Sequence, residues 1–192
     1  MSLVTKTNPV GVDKKIDSLQ RKLYSSLIAD WGINTKYNCT PRCYRNQSTD
    51  SGYTAELFTG GVDYKELYLD DTIAATSFFG VGQDRKVSQD NMTTADVHLI
   101  FSVNLDKIKP STTQRTDEEA ILDVQKVIDT TGISRGWQII KITTGLDKIL
   151  NEYPGSKKEI GLKYKDMHPF LWFRFDLQVY YQPTQTQCSH LN

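Results

Sequence analysis

The chain has 192 residues, 38% of them hydrophobic and 10% aromatic, and its 23 Lys/Arg offset 23 Asp/Glu to a formal charge of zero. One domain of that length buries about 70% of the surface its unfolded chain exposes and needs no disulfide framework, and low net charge with ten Tyr, seven Phe and three Trp excludes a disordered chain. No window approaches the roughly 18 apolar residues of a membrane span and the start lacks the apolar stretch of a secretory signal, so a soluble protein that is not exported is expected.

Residues 1–11, with Pro9 and Gly11, read as a loosely held polar arm. Val12, Ile16, Leu19, Leu23 and Leu27 then recur at helical spacing, and Gly32 follows as a left-handed terminator, which predicts a helix over 12–30. Residues 34–51 are polar and turn-rich and read as a loop. The runs 53–59 and 64–70 flank Gly60-Gly61 as a hairpin, residues 72–79 remain β-compatible up to Gly80-Val81-Gly82, and 83–94 read as exposed. Residues 53–82 together suggest a β-rich arm leaving the core.

Two segments alternate clearly. Val97, Leu99, Phe101, Val103 and Leu105 share one parity; so do Leu171, Phe173, Phe175, Leu177, Val179 and Tyr181, with Phe170, Trp172 and Tyr180 on the opposite face. Between them Thr116 and Glu119 match a reciprocal helix cap, Ala120, Ile121, Val124, Val127 and Ile128 form a buried stripe, and Gly132 ends the helix. A strand over 136–143, a short helix over 145–153 stopped by Pro154, and a tail over 183–192 complete the order. The fold class this predicts is α+β, a single domain with two amphipathic helices on one face of a mostly antiparallel sheet.

Charge is unevenly spread. Residues 1–50 carry eight basic and four acidic side chains, 51–130 carry seven and fourteen, and 131–192 carry eight and five. The acidic middle suits contact between copies at least as well as a nucleic-acid grip.

Few motifs dictate chemistry. Cys39, Cys43, Cys188 and His190 have the ligand types of a zinc set if the tail returns to the loop; otherwise they are loop and tail thiols. Asp96 and His98 could form a dyad on one strand face, and His168 precedes Pro169, yet neither has a nucleophile motif or cofactor loop beside it, so no enzyme is expected. Asp63, Glu66, Asp70 and Asp71 miss the spacing of a calcium loop and read as a solvated acidic face. Lys36, Arg42 and Arg45, interleaved with Tyr37 and Tyr44, are candidate nucleic-acid contacts, set against a domain that is neutral overall. Asn38, Asn46 and Asn91 begin glycosylation tripeptides that are chance matches without a secretory route.

Taken in order, the helix ending in Asp30-Trp31-Gly32, the β-arm, the strand Val97-His98-Leu99-Ile100-Phe101, the capped helix from Asp117, and the closing run Met167-His168-Pro169-Phe170-Leu171-Trp172 resemble the tail terminator and neck proteins of tailed bacteriophages. The resemblance spans most of residues 12–182, and the chain is longer in the middle than compact members. It implies a non-enzymatic virion component, assembled in the bacterial cytoplasm, that needs no cofactor and touches no membrane. Its copies would form a ring between portal or head-completion proteins and the tail, with DNA passing without sequence-specific binding. Asp63, Glu66, Asp70, Asp71, Phe170, Trp172 and Tyr180 are the candidate subunit contacts under that reading. The alternatives are a small nucleic-acid- or zinc-binding module, and an enzyme using His98 or His168.

Overall fold

The computed structural model describes residues 3–48, 52–67, 72–110, 115–132, 136–149 and 167–182. Their elements are α1 (Val12–Trp31), a 3-10 turn (Asn34–Lys36), β1 (Tyr37–Thr40), β2 (Cys43–Ser48), β3 (Gly52–Gly60), β4 (Asp63–Glu66), β5 (Ala75–Val87), β6 (Thr93–Asn104), α2 (Leu105–Ile108), α3 (Asp117–Gly132), β7 (Trp137–Thr144), α4 (Leu146–Ile149) and β8 (Phe170–Tyr181). Five strands form one sheet in the order β1-β5-β6-β8-β7, and three form a second in the order β2-β3-β4. Among the described strands, only the β1–β5 pairing is parallel. The class is α+β with a mostly antiparallel sheet.

Helix α1 follows its sequence pattern closely. Val12, Ile16, Leu19, Leu23, Leu27 and Trp31 are buried, and Gly32 ends the helix at φ 62°, a left-handed conformation that glycine adopts without steric cost. Helix α3 buries Ala120, Ile121, Val124, Val127 and Ile128 against the same sheet face. The two helices are joined at the edge of that layer, where the Trp31 indole N–H donates to Asp123 Oδ2 at 2.8 Å and Lys109 pairs with the same oxygen at 2.8 Å.

Beneath the helices lies an aromatic stack. Tyr24 stacks on Tyr37 at 5.5 Å between ring centroids, Phe101 on Tyr37 at 6.3 Å and on Phe173 at 5.0 Å, and Phe175 meets Phe173 edge-on at 5.9 Å. The alternation of β6 and β8 brings these rings together, because Phe101 and Phe173 are direct cross-strand partners.

The opposite sheet face is also covered. Phe78, Ile100 and Trp172 point there and are enclosed by Cys43, Ala55 and Leu57 of the small sheet, by Leu67, and by Leu146 and Ile149 of α4. The strands are therefore sandwiched between a helical layer and a layer made of the small sheet and α4.

Several sequence expectations change. The loop expected over 34–51 contains strands β1 and β2. Tyr37 and Cys39 alternate into the core, and the polar residues between them hide the pattern in so short a run. The N-terminal arm is held rather than loose: Leu3 bridges Cys39 in parallel, Val4 N–H donates to the Cys39 carbonyl at 3.0 Å, and buried Gln20 donates to the carbonyls of Val4 (2.6 Å) and Cys39 (3.0 Å). Gly80 and Gly82 do not end a strand. β5 runs through them to Val87, between β1 and β6, so residues 75–82 belong to the main sheet and the separate hairpin is limited to β3 and β4. Glycine suits position 82 because a Cβ there would lie 3.4 Å from the Asp96 carbonyl oxygen. Of the short helix expected over 145–153, Leu146–Ile149 is helical and the remainder lies outside the described residues, as does the tail over 183–192.

Trp172 is the largest side chain fully buried in the second core. Trp172→Ala is expected to destabilise the fold by about 3–5 kcal/mol, measured by urea denaturation, because the cavity lies between two sheets that cannot both collapse into it.

Candidate interaction surfaces

The second face of the main sheet changes character along its strands. On β8 it passes from Trp172, buried in the apolar cluster, through Arg174 and Asp176 to Gln178 and Tyr180. Arg174 is only 8% exposed, and its guanidinium grips Asp176 with two nitrogens: Nε is 2.8 Å from Oδ1 and Nη2 donates to Oδ2 at 3.3 Å. Nη1 donates to the Ile149 carbonyl at 3.4 Å, which joins α4 to the sheet. The fork geometry of arginine suits a carboxylate in this way, and the pair holds its charge where water is largely excluded.

His98 stands across the strands from Asp176, with Nε2 3.9 Å from Oδ1. Its carboxylate neighbour is thus Asp176 on the adjacent strand, rather than Asp96, which is exposed two residues away on β6. The second histidine, His168, has Nε2 3.7 Å from Asp106 Oδ1 in a half-exposed setting. Each arrangement allows charge attraction when the imidazole is protonated. Tyr180 donates to the side-chain oxygens of Gln178 and, at 3.4 Å, Gln138, so its ring and hydroxyl lie partly exposed over the β7–β8 pair.

The cluster of cations and aromatics resolves into different parts. Tyr37 is wholly buried, and desolvation raises its pKa well above the ordinary phenol value. Arg42 is turned toward α1, where Nε is 3.1 Å from Asp13 Oδ1 and the guanidinium lies 5.2 Å from the Tyr44 ring centroid. Lys6 reaches the same point, donating to Asp13 Oδ2 at 2.8 Å and to Tyr44 Oη at 2.9 Å. Burial acts to lower the Lys6 pKa, but the hydrogen bonds it donates to Asp13 and Tyr44, with the charge attraction of those groups, outweigh it and the net displacement is upward. These contacts tie the arm, the start of α1 and strand β2 together. Arg42 is therefore committed within the chain and does not stand free as a phosphate ligand. Lys36 is exposed at the 3-10 turn, and Arg45 pairs in register with Ala55 on β3.

Cys39 and Cys43 cannot share a metal ion in this arrangement. Cys39 lies in the helix-side core, accepting from Ser77 Oγ at 3.2 Å, whereas Cys43 lies in the cluster on the other sheet face. Both are free thiols. Cys188 and His190 fall outside the described residues, among which no group of three or more His, Cys, Asp or Glu side chains is placed to hold a metal ion.

Of the predicted subunit contacts, Trp172 is excluded, because it is fully buried inside the chain and has no surface to offer a neighbour. Phe170 is half-buried at the start of β8. Asp63 is exposed at the start of β4, and Glu66 closes that strand in register with Glu56. Asp70 and Asp71 lie outside the described residues. Sequence reasoning passed over exposed apolar residues, among them Val62 (88% exposed) at the hairpin turn and Ile140 (57%) on β7. A lone apolar residue in a turn or an alternating strand gives no sign of whether anything covers it.

Comparison with protein-family models, with characterised proteins and with solved structures yields no match.

Asp176→Ala leaves the Arg174 guanidinium buried without its carboxylate and is expected to cost about 3–5 kcal/mol in urea unfolding. The two core thiols should resist alkylation in the native protein: burial pushes Cys39 up to about 11 and Cys43 up to about 12 from 9.0. At pH 8 in a Cys188→Ser chain, labelling should wait on unfolding, as the thiolate fraction falls about tenfold per pH unit of displacement. Since unfolding lowers both values, the folded state should lose stability as pH rises above 9, and a stability that is flat from pH 8 to 11 would contradict the burial of these thiols.

Proposed function

We propose that this chain is a structural virion protein, a ring-forming head-to-tail connector or tail terminator subunit of a tailed bacteriophage. The observation that carries the reading is the β3–β4 hairpin, which presents exposed apolar and charged side chains (Val62, Asp63, Tyr64 and Lys65) beside a core that is already closed on both sheet faces. Tyr64 packs edge-on against Tyr44 and Phe58 within the chain, but Val62 at the turn is left 88% exposed and is suited to repeated contact with another copy.

The order of helix, hairpin, long strands and capped helix supports the same reading, and so does electrical neutrality. A strongly cationic channel would hold phosphates and retard a passing genome. In this reading the ring contacts portal or head-completion proteins on one side and tail proteins on the other. The chain serves by geometry rather than by catalysis, and DNA passes through without being read.

The test is assembly of the purified full-length chain, followed by negative-stain microscopy and light scattering. Closed oligomers are expected. Replacing Asp63, Glu66, Asp70 and Asp71 by Lys should abolish ring formation and leave the midpoint of thermal unfolding within a few degrees. A chain that is strictly monomeric and does not incorporate into particles would refute the proposal.

A further inference from the structure

The two edges of the main sheet are treated differently. At the β1 edge the chain's own N-terminal segment is bound, through the Leu3–Cys39 bridge and the Val4 amide. At the other edge β7 pairs with β8 on one side, and no described strand lies on the other. An uncovered edge strand presents backbone N–H and C=O groups that can accept a further strand.

Edge β7 also carries features that limit which strand can join it. The register shifts between Ile139 and Lys141, so Ile140 is the extra residue of a bulge and is 57% exposed, and Lys141 beside it is exposed as well. A bulge and a lysine on an edge discourage indiscriminate pairing. A partner that overcomes them has to cover the isoleucine and supply a carboxylate to the lysine.

We infer that this partner is the β3–β4 hairpin of a second copy of the chain, with β4 added to the outer edge of β7. This inference rests on the ring reading and specifies the surfaces that close the ring. Strand β4 is the outer strand of the small sheet, and its four residues fit within the eight of β7. It brings exposed Asp63 and Tyr64 together with Val62 at the turn. The charges are complementary: β4 holds two carboxylates, Asp63 and Glu66, and one lysine, whereas β7 holds Lys141 and no carboxylate. Main-chain hydrogen bonds along the added strand supply affinity, and the paired side chains supply selectivity. Hairpin and edge are different parts of the chain, so the contact is head-to-tail and each copy can be both donor and acceptor, a geometry that gives a ring when the rotation between copies closes.

Cross-linking tests the contact in the full-length chain. In a Cys188→Ser background, Val62→Cys and Ile140→Cys are introduced singly and together, and the proteins are treated with diamide. The double variant should yield a covalent ladder on a denaturing gel and neither single variant a species larger than a dimer. As a second measure, Asp63→Lys and Lys141→Asp should each weaken association by about tenfold, and the two combined should restore most of it. An oligomeric wild-type chain whose double cysteine variant gives no ladder, and whose paired charge reversal gives no recovery, overturns this contact and leaves the ring reading intact. A monomeric wild-type chain overturns both.

Discussion

The structure depends on burying both faces of the main sheet. Strands β6 and β8 lie at its centre, and their side chains alternate between two separate cores: Phe101, Phe173 and Phe175 face the helices, whereas Ile100 and Trp172 face the small sheet and α4. Each fully buried aromatic or aliphatic side chain contributes about 1.5–3 kcal/mol, so neither layer can be lost without exposing a large part of the driving force for folding. This constraint explains why the hairpin is anchored by Ala55 and Leu57 at its base. It also explains why Trp172, conspicuous in the sequence, has no part in any outer surface.

The same constraint fixes where charge can lie. Along β8 the second face becomes polar just where the covering layer thins, and the Arg174–Asp176 pair marks the transition with α4 held by the Ile149 carbonyl. At the opposite edge, Lys6, Asp13, Arg42 and Tyr44 form a second polar junction in which the N-terminal segment, α1 and β2 meet. Both junctions join elements distant in sequence through charge-assisted hydrogen bonds, and both use up cations that composition alone would have assigned to a ligand. Among the described residues, the exposed side chains that neither junction uses include Val62 and Asp63 of the hairpin and Ile140 and Lys141 on the β7 edge.

How much of the fold could be read from sequence depended on element length. Helix α1 and strands β6 and β8 repeat their periodicity often enough to state which face is buried. Strand β1 has four residues, in which the polar Asn38 and Thr40 alternate with the buried Tyr37 and Cys39, and so resembles a polar loop until Ser77 is seen to bond both the tyrosine and the cysteine. Gly80 and Gly82 resembled a stop because glycine weakens strands in general. At position 82 it instead permits β5 to approach β6 closely.

The amino-acid sequence by itself determined the α+β class, the two amphipathic helices, the two long alternating strands and the acidic hairpin, because each follows from periodicity or composition within one continuous segment. Only the tertiary structure decided the partners: that Cys39 and Cys43 enter opposite cores, that His98 faces Asp176, that Arg42 is held by Asp13, and that one sheet edge is covered while β7 has no described strand beside it. Those outcomes depend on which segments pack together across tens of residues, and local pattern carries no record of that choice. The zero net charge therefore hides separate local arrangements, the two internal junctions among them, whose positions were set by packing.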